Sequence, residues 1–233
     1  MDFSGIIFKG QIEKTFFMIK MLNRLLNYDS NTENLKIFDY EIIRSKVPKK
    51  LYNNPRLEES IHETFEKLEN IDICKDTKES IGKVTTTVGL KNTNFFISNL
   101  NDIKPLIDYI SKIVLKNFFG EKFHKNNVTI ISMWMNKLFY NSSVRCHTHR
   151  KNEHKSAVAI FYFKVPKNGS KLIILKEDIG DKIVTEEHKN ISHYIELESG
   201  DLIIHSPDIP HAVSTHESKE SRICLVFNFE LKK

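Results

Sequence analysis

The chain has 233 residues, 40% of them hydrophobic and 28% charged, with a formal net charge of +5 at pH 7. That length can bury a sizeable core, and this balance of apolar to charged residues excludes a disordered chain. The basic residues are interleaved with Glu and Asp along the whole sequence, which argues against a nucleic-acid-binding protein.

Cys74, Cys146 and Cys224 are an odd number of cysteines at wide spacing. They speak against a disulfide scaffold and for a reducing compartment, and no C-x-x-C pair offers a structural zinc cluster. The N-terminal "MDFSGIIFKGQIEK" lacks a basic stretch followed by a long apolar run. No segment approaches the roughly 18 apolar residues of a membrane helix. A cytoplasmic protein with no membrane partner is expected.

In chain order, Ile12, Phe16, Ile19, Leu22 and Leu26 fall on one helical face, and Leu57, Ile61, Phe65 and Leu68 do so again after Pro55. Ile103, Leu106, Ile107, Ile110 and Val114 make a third stripe that ends near Gly120. Residues 1–125 are therefore expected to be a mainly helical support region whose stripes pack on a core. Over 126–233 the texture changes. "VTIISMWMNKLF", "SAVAIFYFKV", "SKLIILK", "SHYIELE", "DLIIH", "HAVST" and "SRICLVFNFE" are short, rich in β-branched and aromatic residues, and separated by turn residues. Asn168-Gly169 in "VPKNGSK" favours a tight hairpin turn. Strands of this kind predict a β-sandwich or barrel, covered on one sheet by the helices, in one domain spanning 1–233.

Eight of the ten histidines lie at or beyond His147. In "VRCHTHRKNEH", His147 and His149 are two apart. On an extended strand end such residues point to the same side, so both imidazoles can meet one ion. His211 follows "GDLIIHSPDIP", in which Gly200-Asp201 reads as a turn feeding a strand, and Pro207 and Pro210 stiffen the approach. Arg222 heads the last strand, "RICLVFNF". Three protein ligands on one face of an octahedral Fe(II) leave up to three positions open. A bidentate 2-oxo acid can fill two and O2 the third, and the far carboxylate of that acid needs a bidentate cation such as arginine.

Here a family resemblance becomes explicit. From about Thr85 onward the chain resembles the 2-oxoglutarate/Fe(II) oxygenases, particularly a bacterial and phage branch with an H-x-H signature. The matching pieces are "TNFFISNLNDIKPLIDYI", "WMNK", "HTH", "AIFYFKVPKNGSKLII", "GDLIIHSPDIPHAV" and "SRICLVFNF", in the same order and spacing. The resemblance implies an α+β chain with a double-stranded β-helix core of jelly-roll type in its C-terminal half. It implies an enzyme that uses Fe(II), 2-oxoglutarate and O2 to hydroxylate an unactivated C–H bond of an amino acid, peptide or protein side chain (a small-molecule or peptide substrate), with desaturation or halogenation as other outcomes. The sequence leaves the oligomeric state open, a homodimer included. By the same resemblance His147 is the first iron ligand, His211 the distal one and Arg222 the anchor of 2-oxoglutarate. His149 stands where relatives have Asp or Glu and is taken as the third ligand. Asn136 in "WMNK" and Tyr162 in "FYF" are candidates to hydrogen-bond the 2-oxoglutarate carboxylates. Cys224 stands where relatives place a hydroxyl residue.

Two other readings stay open on the residues alone. A cupin-type metal enzyme on a related barrel would use His147, His149, Glu153 and His211, since "HTHRKNE" satisfies H-x-H-x3-E. Asn141 then stands where that motif needs glycine, "PDI" breaks the later P-x-G, and Arg222 has no role. A non-catalytic binding module on the same fold is the other. His205 reads as a core or supporting residue, Trp134 as core, and His154, His188, His193 and His216 as surface residues.

Overall fold

The computed structural model of the chain describes residues 31–70, 80–87, 100–120, 128–149 and 156–231. In chain order its strands begin with β1 (Thr32–Ile37), β2 (Tyr40–Lys46), β3 (Ser80–Ile81) and β4 (Val84–Thr86). There follow β5 (Val128–Leu138), β6 (Ser143–His147), β7 (Ser156–Lys164) and β8 (Leu172–Leu175). The last four are β9 (Ser192–Ile195), β10 (Asp201–His205), β11 (His211–Val213) and β12 (Arg222–Leu231). Two helices, α1 (Pro55–Asn70) and α2 (Leu100–Val114), precede β5, and α2 runs into a π-helical turn at Leu115–Phe119.

The strands form two antiparallel sheets, one ordered β1-β2-β10-β7-β12-β5-β4 and the other β3-β6-β11-β8-β9. Val158, Ile160 and Tyr162, alternate residues of β7, join Leu172 and Ile174 of β8 and Val226 of β12 in one buried cluster between the sheets. The other face of β7 carries Phe161, whose ring meets Tyr52 edge-on at 5.3 Å. Because β7 is covered on both faces, its sequence is a continuous apolar run instead of an alternating one.

The stripes at Leu57–Leu68 and Ile103–Val114 are helical as expected, and their apolar residues are buried except the half-buried Ile107, with Leu57, Ile61, Phe65, Ile103, Leu106 and Ile110 at 0% exposure. α2 lies against β7 and α1 against β4, on the outer face of the larger sheet. The stripe from Ile12 to Leu26 lies outside the described residues, as do Cys74, Glu153 and His154. Among the described residues no helix is long and apolar enough to cross a membrane.

The expectation of a mainly helical region before residue 125 needs a correction at 32–46. That stretch is a hairpin whose second strand pairs with β10, Asp201 opposite Lys46 and Ile204 opposite Ile43. Its turn, Phe38-Asp39, places Phe38 at φ 54°, a conformation usually left to Gly or Asn, so the sequence carries no turn signal there. The hairpin is tied down from outside: the buried Asp201 carboxylate accepts hydrogen bonds from Arg44 at 2.9 Å and Lys46 at 3.0 Å. A second correction concerns Asn168-Gly169. A turn is present, with Asn168 at φ 58° and Gly169 N donating to Pro166 O at 3.0 Å. It carries the chain from β7 in one sheet to β8 in the other, so it closes no hairpin.

Candidate metal centre

β6 and β11 are neighbours, and their register sets His147 opposite His211. Side chains at paired positions of adjacent strands share a face, so the two imidazoles meet, ring centres 4.4 Å apart. His149 follows β6 in a short connection, its backbone N–H held by Pro207 O at 2.9 Å. Its ring lies 5.4 Å from that of His147 and 5.1 Å from that of His211. The three offer nitrogen atoms that all lie within 4.8 Å of one another.

The remaining ring nitrogens fix the tautomers. Nδ1 of His147 donates to Arg145 O at 2.9 Å and Nδ1 of His211 to Ile209 O at 2.9 Å, in each case the carbonyl two residues upstream. Nδ1 of His149 donates to the side-chain Oδ1 of Asn228 at 3.3 Å. With Nδ1 carrying the proton, each Nε2 presents a lone pair, the state a metal requires. Burial, and then the neighbouring imidazoles, push His211 well below the usual histidine range, so it is neutral at pH 7.

A cavity of about 340 Å³ opens beside these rings, between the sheets. Its wall follows from strand periodicity. Arg222, Cys224, Val226 and Asn228 line it from β12, Ser132, Trp134, Asn136 and Leu138 from β5, and Ile160 and Tyr162 from β7. No carboxylate among the described residues lines it. Arg222 is buried, at 1% exposure, and forms no ion pair among the described residues. Its Nη1 donates to Ser170 Oγ at 2.7 Å, its guanidinium carbon lies 4.8 Å from the centre of the Tyr162 ring, and its Nε has no hydrogen-bond partner. The hydroxyl of Tyr162 also lacks one. Burial holds this phenol far above its ordinary pKa, against the pull of the nearby guanidinium, so it remains a donor. A buried cation and a buried hydroxyl with hydrogen-bonding capacity left over suit an anionic ligand.

The sequence-predicted residues thus come together, with differences in detail. His147, His149, His211, Arg222, Tyr162 and Asn136 all line one cavity. The amide of Asn136 is engaged by its own sheet: turned to satisfy both ends, it donates to Thr86 Oγ1 at 2.6 Å and accepts from Trp134 Nε1 at 3.3 Å. Trp134, read as core, is partly buried in the cavity wall and stacks on His149, ring centres 5.5 Å apart and planes within 23°. His216, read as a surface residue, is at 0% exposure. Its Nδ1 accepts from Ser170 N at 3.1 Å and its Nε2 donates to Glu220 O at 2.7 Å, so it holds the residue that holds Arg222. His193 is exposed and His188 half-buried. His205 is buried behind His211, ring centres 4.7 Å apart, with Nδ1 on Ser206 O and Nε2 without a partner. Asn228, Ser132 and Ser170 were not singled out from the sequence. The signal for Asn228 was available: it shares the strand face of Arg222 and Cys224.

Residues 132–228, fewer than half of the chain, match the model of a family described as "Putative 2OG-Fe(II) oxygenase". No curated protein matches the sequence. Among solved structures, AviO1 from Streptomyces viridochromogenes is similar at a TM-score of 0.55 and 9% identity, over 82% of this chain and 90% of that one. The non-heme α-ketoglutarate-dependent carbocyclase SnoK from nogalamycin biosynthesis is similar at 0.52 and 12%, over 80% and 79%. HygX from Streptomyces hygroscopicus, solved with nickel and 2-oxoglutarate bound, is similar at 0.50 and 10%, over 81% and 82%. At such identities the likeness is one of fold, the double-stranded β-helix expected from the sequence. The family match runs from within β5 to within β12 and contains the three histidines and Arg222. Over this β-helix the chain is similar to the 2-oxoglutarate/Fe(II)-dependent oxygenases, enzymes that work with Fe(II), 2-oxoglutarate and O2.

Proposed function

We propose that His147, His149 and His211 hold Fe(II) through Nε2, that Arg222 and Tyr162 bind the far carboxylate of 2-oxoglutarate, and that the enzyme hydroxylates an unactivated C–H bond of a small molecule or peptide. One observation carries this reading: three imidazoles with engaged Nδ1 atoms converge on the cavity in which Arg222 Nε and the Tyr162 hydroxyl lie unpartnered. When bound, Fe(II) and 2-oxoglutarate supply the oxidant: 2-oxoglutarate and O2 become succinate and CO2 as one oxygen atom enters the C–H bond. The residues of the chain hold and orient. The carbonyls of Arg145 and Ile209 lock two imidazoles in one tautomer and one rotation, and β-sheet pairing fixes the spacing of those rings. Ser170 and the Tyr162 ring set the plane of the Arg222 guanidinium, so the fork meets a carboxylate in one orientation. Apolar neighbours such as Ile160, Leu172 and Val226 keep bulk water from the space between.

Anaerobic addition of Fe(II) and then 2-oxoglutarate tests the assignment. A visible charge-transfer band should form in the wild type and be lost in His211→Ala. A wild-type band in that variant defeats it. The cupin-type set predicts instead that Glu153→Ala loses metal, whereas the present reading expects that variant to bind normally.

A further inference from the structure

We infer that Asn228 is a positioning residue for His149, and that the Asn228–Ser132 pair with Trp134 forms a clamp that makes this histidine a usable third ligand; the inference rests on the ligand set proposed above. His147 and His211 take their orientation from their own backbone, each through the carbonyl two residues upstream. His149 is held differently. It lies past the end of β6, so strand pairing does not aim it. Its Nδ1–H is accepted by a side chain from a distant strand, Asn228 Oδ1 at 3.3 Å.

The amide is itself held. Asn228 Nδ2 donates to Ser132 Oγ at 2.9 Å across the β12–β5 pair, which leaves Oδ1 turned to the imidazole. An amide oxygen can only accept, so His149 must place its proton on Nδ1 and its lone pair on Nε2. On the other side the Trp134 ring lies nearly parallel to the imidazole, blocking rotation about the ring plane. The backbone is shaped for this contact. The register of β5 and β12 shifts right after Asn228, where Ile131 is an extra residue in β5, and such bulges re-aim neighbouring side chains. The clamp uses a neutral acceptor, so it orients the imidazole without adding a carboxylate to a cavity that has none among the described residues.

The test uses the full chain, with Co(II) as probe under anaerobic conditions. Affinity is read from the visible ligand-field spectrum and from quenching of Trp134, the only tryptophan. Asn228→Leu keeps the size of the side chain and removes the acceptor; Co(II) affinity should fall about 10- to 100-fold, the usual effect of removing a hydrogen-bond partner of a ligand. Asn228→Asp keeps an acceptor and should bind within about threefold of wild type. The unfolding midpoint of the metal-free protein and, at saturating Co(II), the affinity for 2-oxoglutarate analogues at Arg222 should be unchanged, which a merely structural role would not predict. Ser132→Ala, at an exposed position, should lower Co(II) affinity in the same direction by a smaller factor and serves if Asn228→Leu folds poorly. Wild-type Co(II) affinity in both Asn228→Leu and Ser132→Ala, with affinity lost in His149→Ala, overturns the clamp alone. Wild-type affinity in His149→Ala itself brings down the ligand assignment, and the clamp with it.

Discussion

Arg222 and Tyr162, proposed to bind the far carboxylate of 2-oxoglutarate, are buried with hydrogen-bonding capacity left over. A buried guanidinium without an acidic partner among the described residues costs the metal-free protein stability, and a buried phenol with an unpaired hydroxyl adds to that cost. Arg222→Ala should therefore weaken 2-oxoglutarate binding by roughly 2 kcal/mol or more, measured by titration of the metal-loaded protein. Arg222→Lys should recover only part of this, because an ammonium cannot present the bidentate fork. Tyr162→Phe separates the two roles more sharply. Losing the hydroxyl should leave the metal-free unfolding midpoint unchanged or raised, while 2-oxoglutarate affinity falls by about 0.5–1.5 kcal/mol. A Phe variant that unfolds earlier and binds normally would assign Tyr162 to the core. At His149, replacement by Asp should keep metal, since a carboxylate can take the same position, whereas Ala should lose more than the 10–100-fold expected for an outer partner. Equal Fe(II) affinities in the two variants would exclude His149 as a ligand.

At the scale of elements, alternation along β12 and β5 turns two ordinary sheet strands into a cavity wall, and the helices matter by holding that wall from outside. Glu69, near the end of α1, bridges Lys137 of β5 at 2.8 Å and Lys83 at 3.3 Å. Burial alone would push this carboxyl up, but the two ammonium groups outweigh it and hold it below the usual carboxylate range. A carboxyl with a depressed pKa in the folded state stabilises the protein above its unfolded pKa, and that contribution is lost as pH falls through the lower folded value. Glu69→Gln should accordingly be less stable than wild type at pH 7, with the gap closing under acid conditions below the ordinary carboxylate pKa. Denaturant midpoints at pH 7 and pH 3 check this; a gap that is constant with pH would mean the bridge contributes through packing only. The same scale explains the missed hairpin. Phe38-Asp39 is a poor turn in isolation and becomes tolerable because β2 pairs with β10 and the Asp201 carboxylate accepts from both Arg44 and Lys46.

For the molecule as a whole, the site lies between two sheets, so its occupancy should be coupled to the stability of the sandwich. A ligand present at about 100 times its dissociation constant stabilises the folded state by about 2.7 kcal/mol. In a domain of this size that corresponds to a rise in Tm of roughly 5–10 °C. Adding Ni(II) as an oxidation-stable stand-in should raise Tm once, and 2-oxoglutarate should raise it further only when the metal is present. Arg222→Ala should retain the first step and lose the second, while His147→Ala should lose both. A full 2-oxoglutarate step in His147→Ala would place the cosubstrate elsewhere than beside the histidines.

The two helical stripes, the later strands and the density of histidines could be read without the structure, because period 3.6 and period 2 are imposed locally by backbone geometry. That His147, His149, His211 and Arg222 share a site could be proposed from sequence for a related reason: metals and carboxylates accept few side chains, and those stand out at strand ends; that they line one cavity is what the structure adds. Only the tertiary structure decided which strands pair. It made 32–46 part of the larger sheet, sent the Asn168-Gly169 turn between sheets and buried His216 beneath Arg222. It also brought Trp134 and Asn228, the latter 79 residues away in sequence, to His149. Such contacts depend on register and on the twist of two packed sheets, and no short window of sequence encodes either.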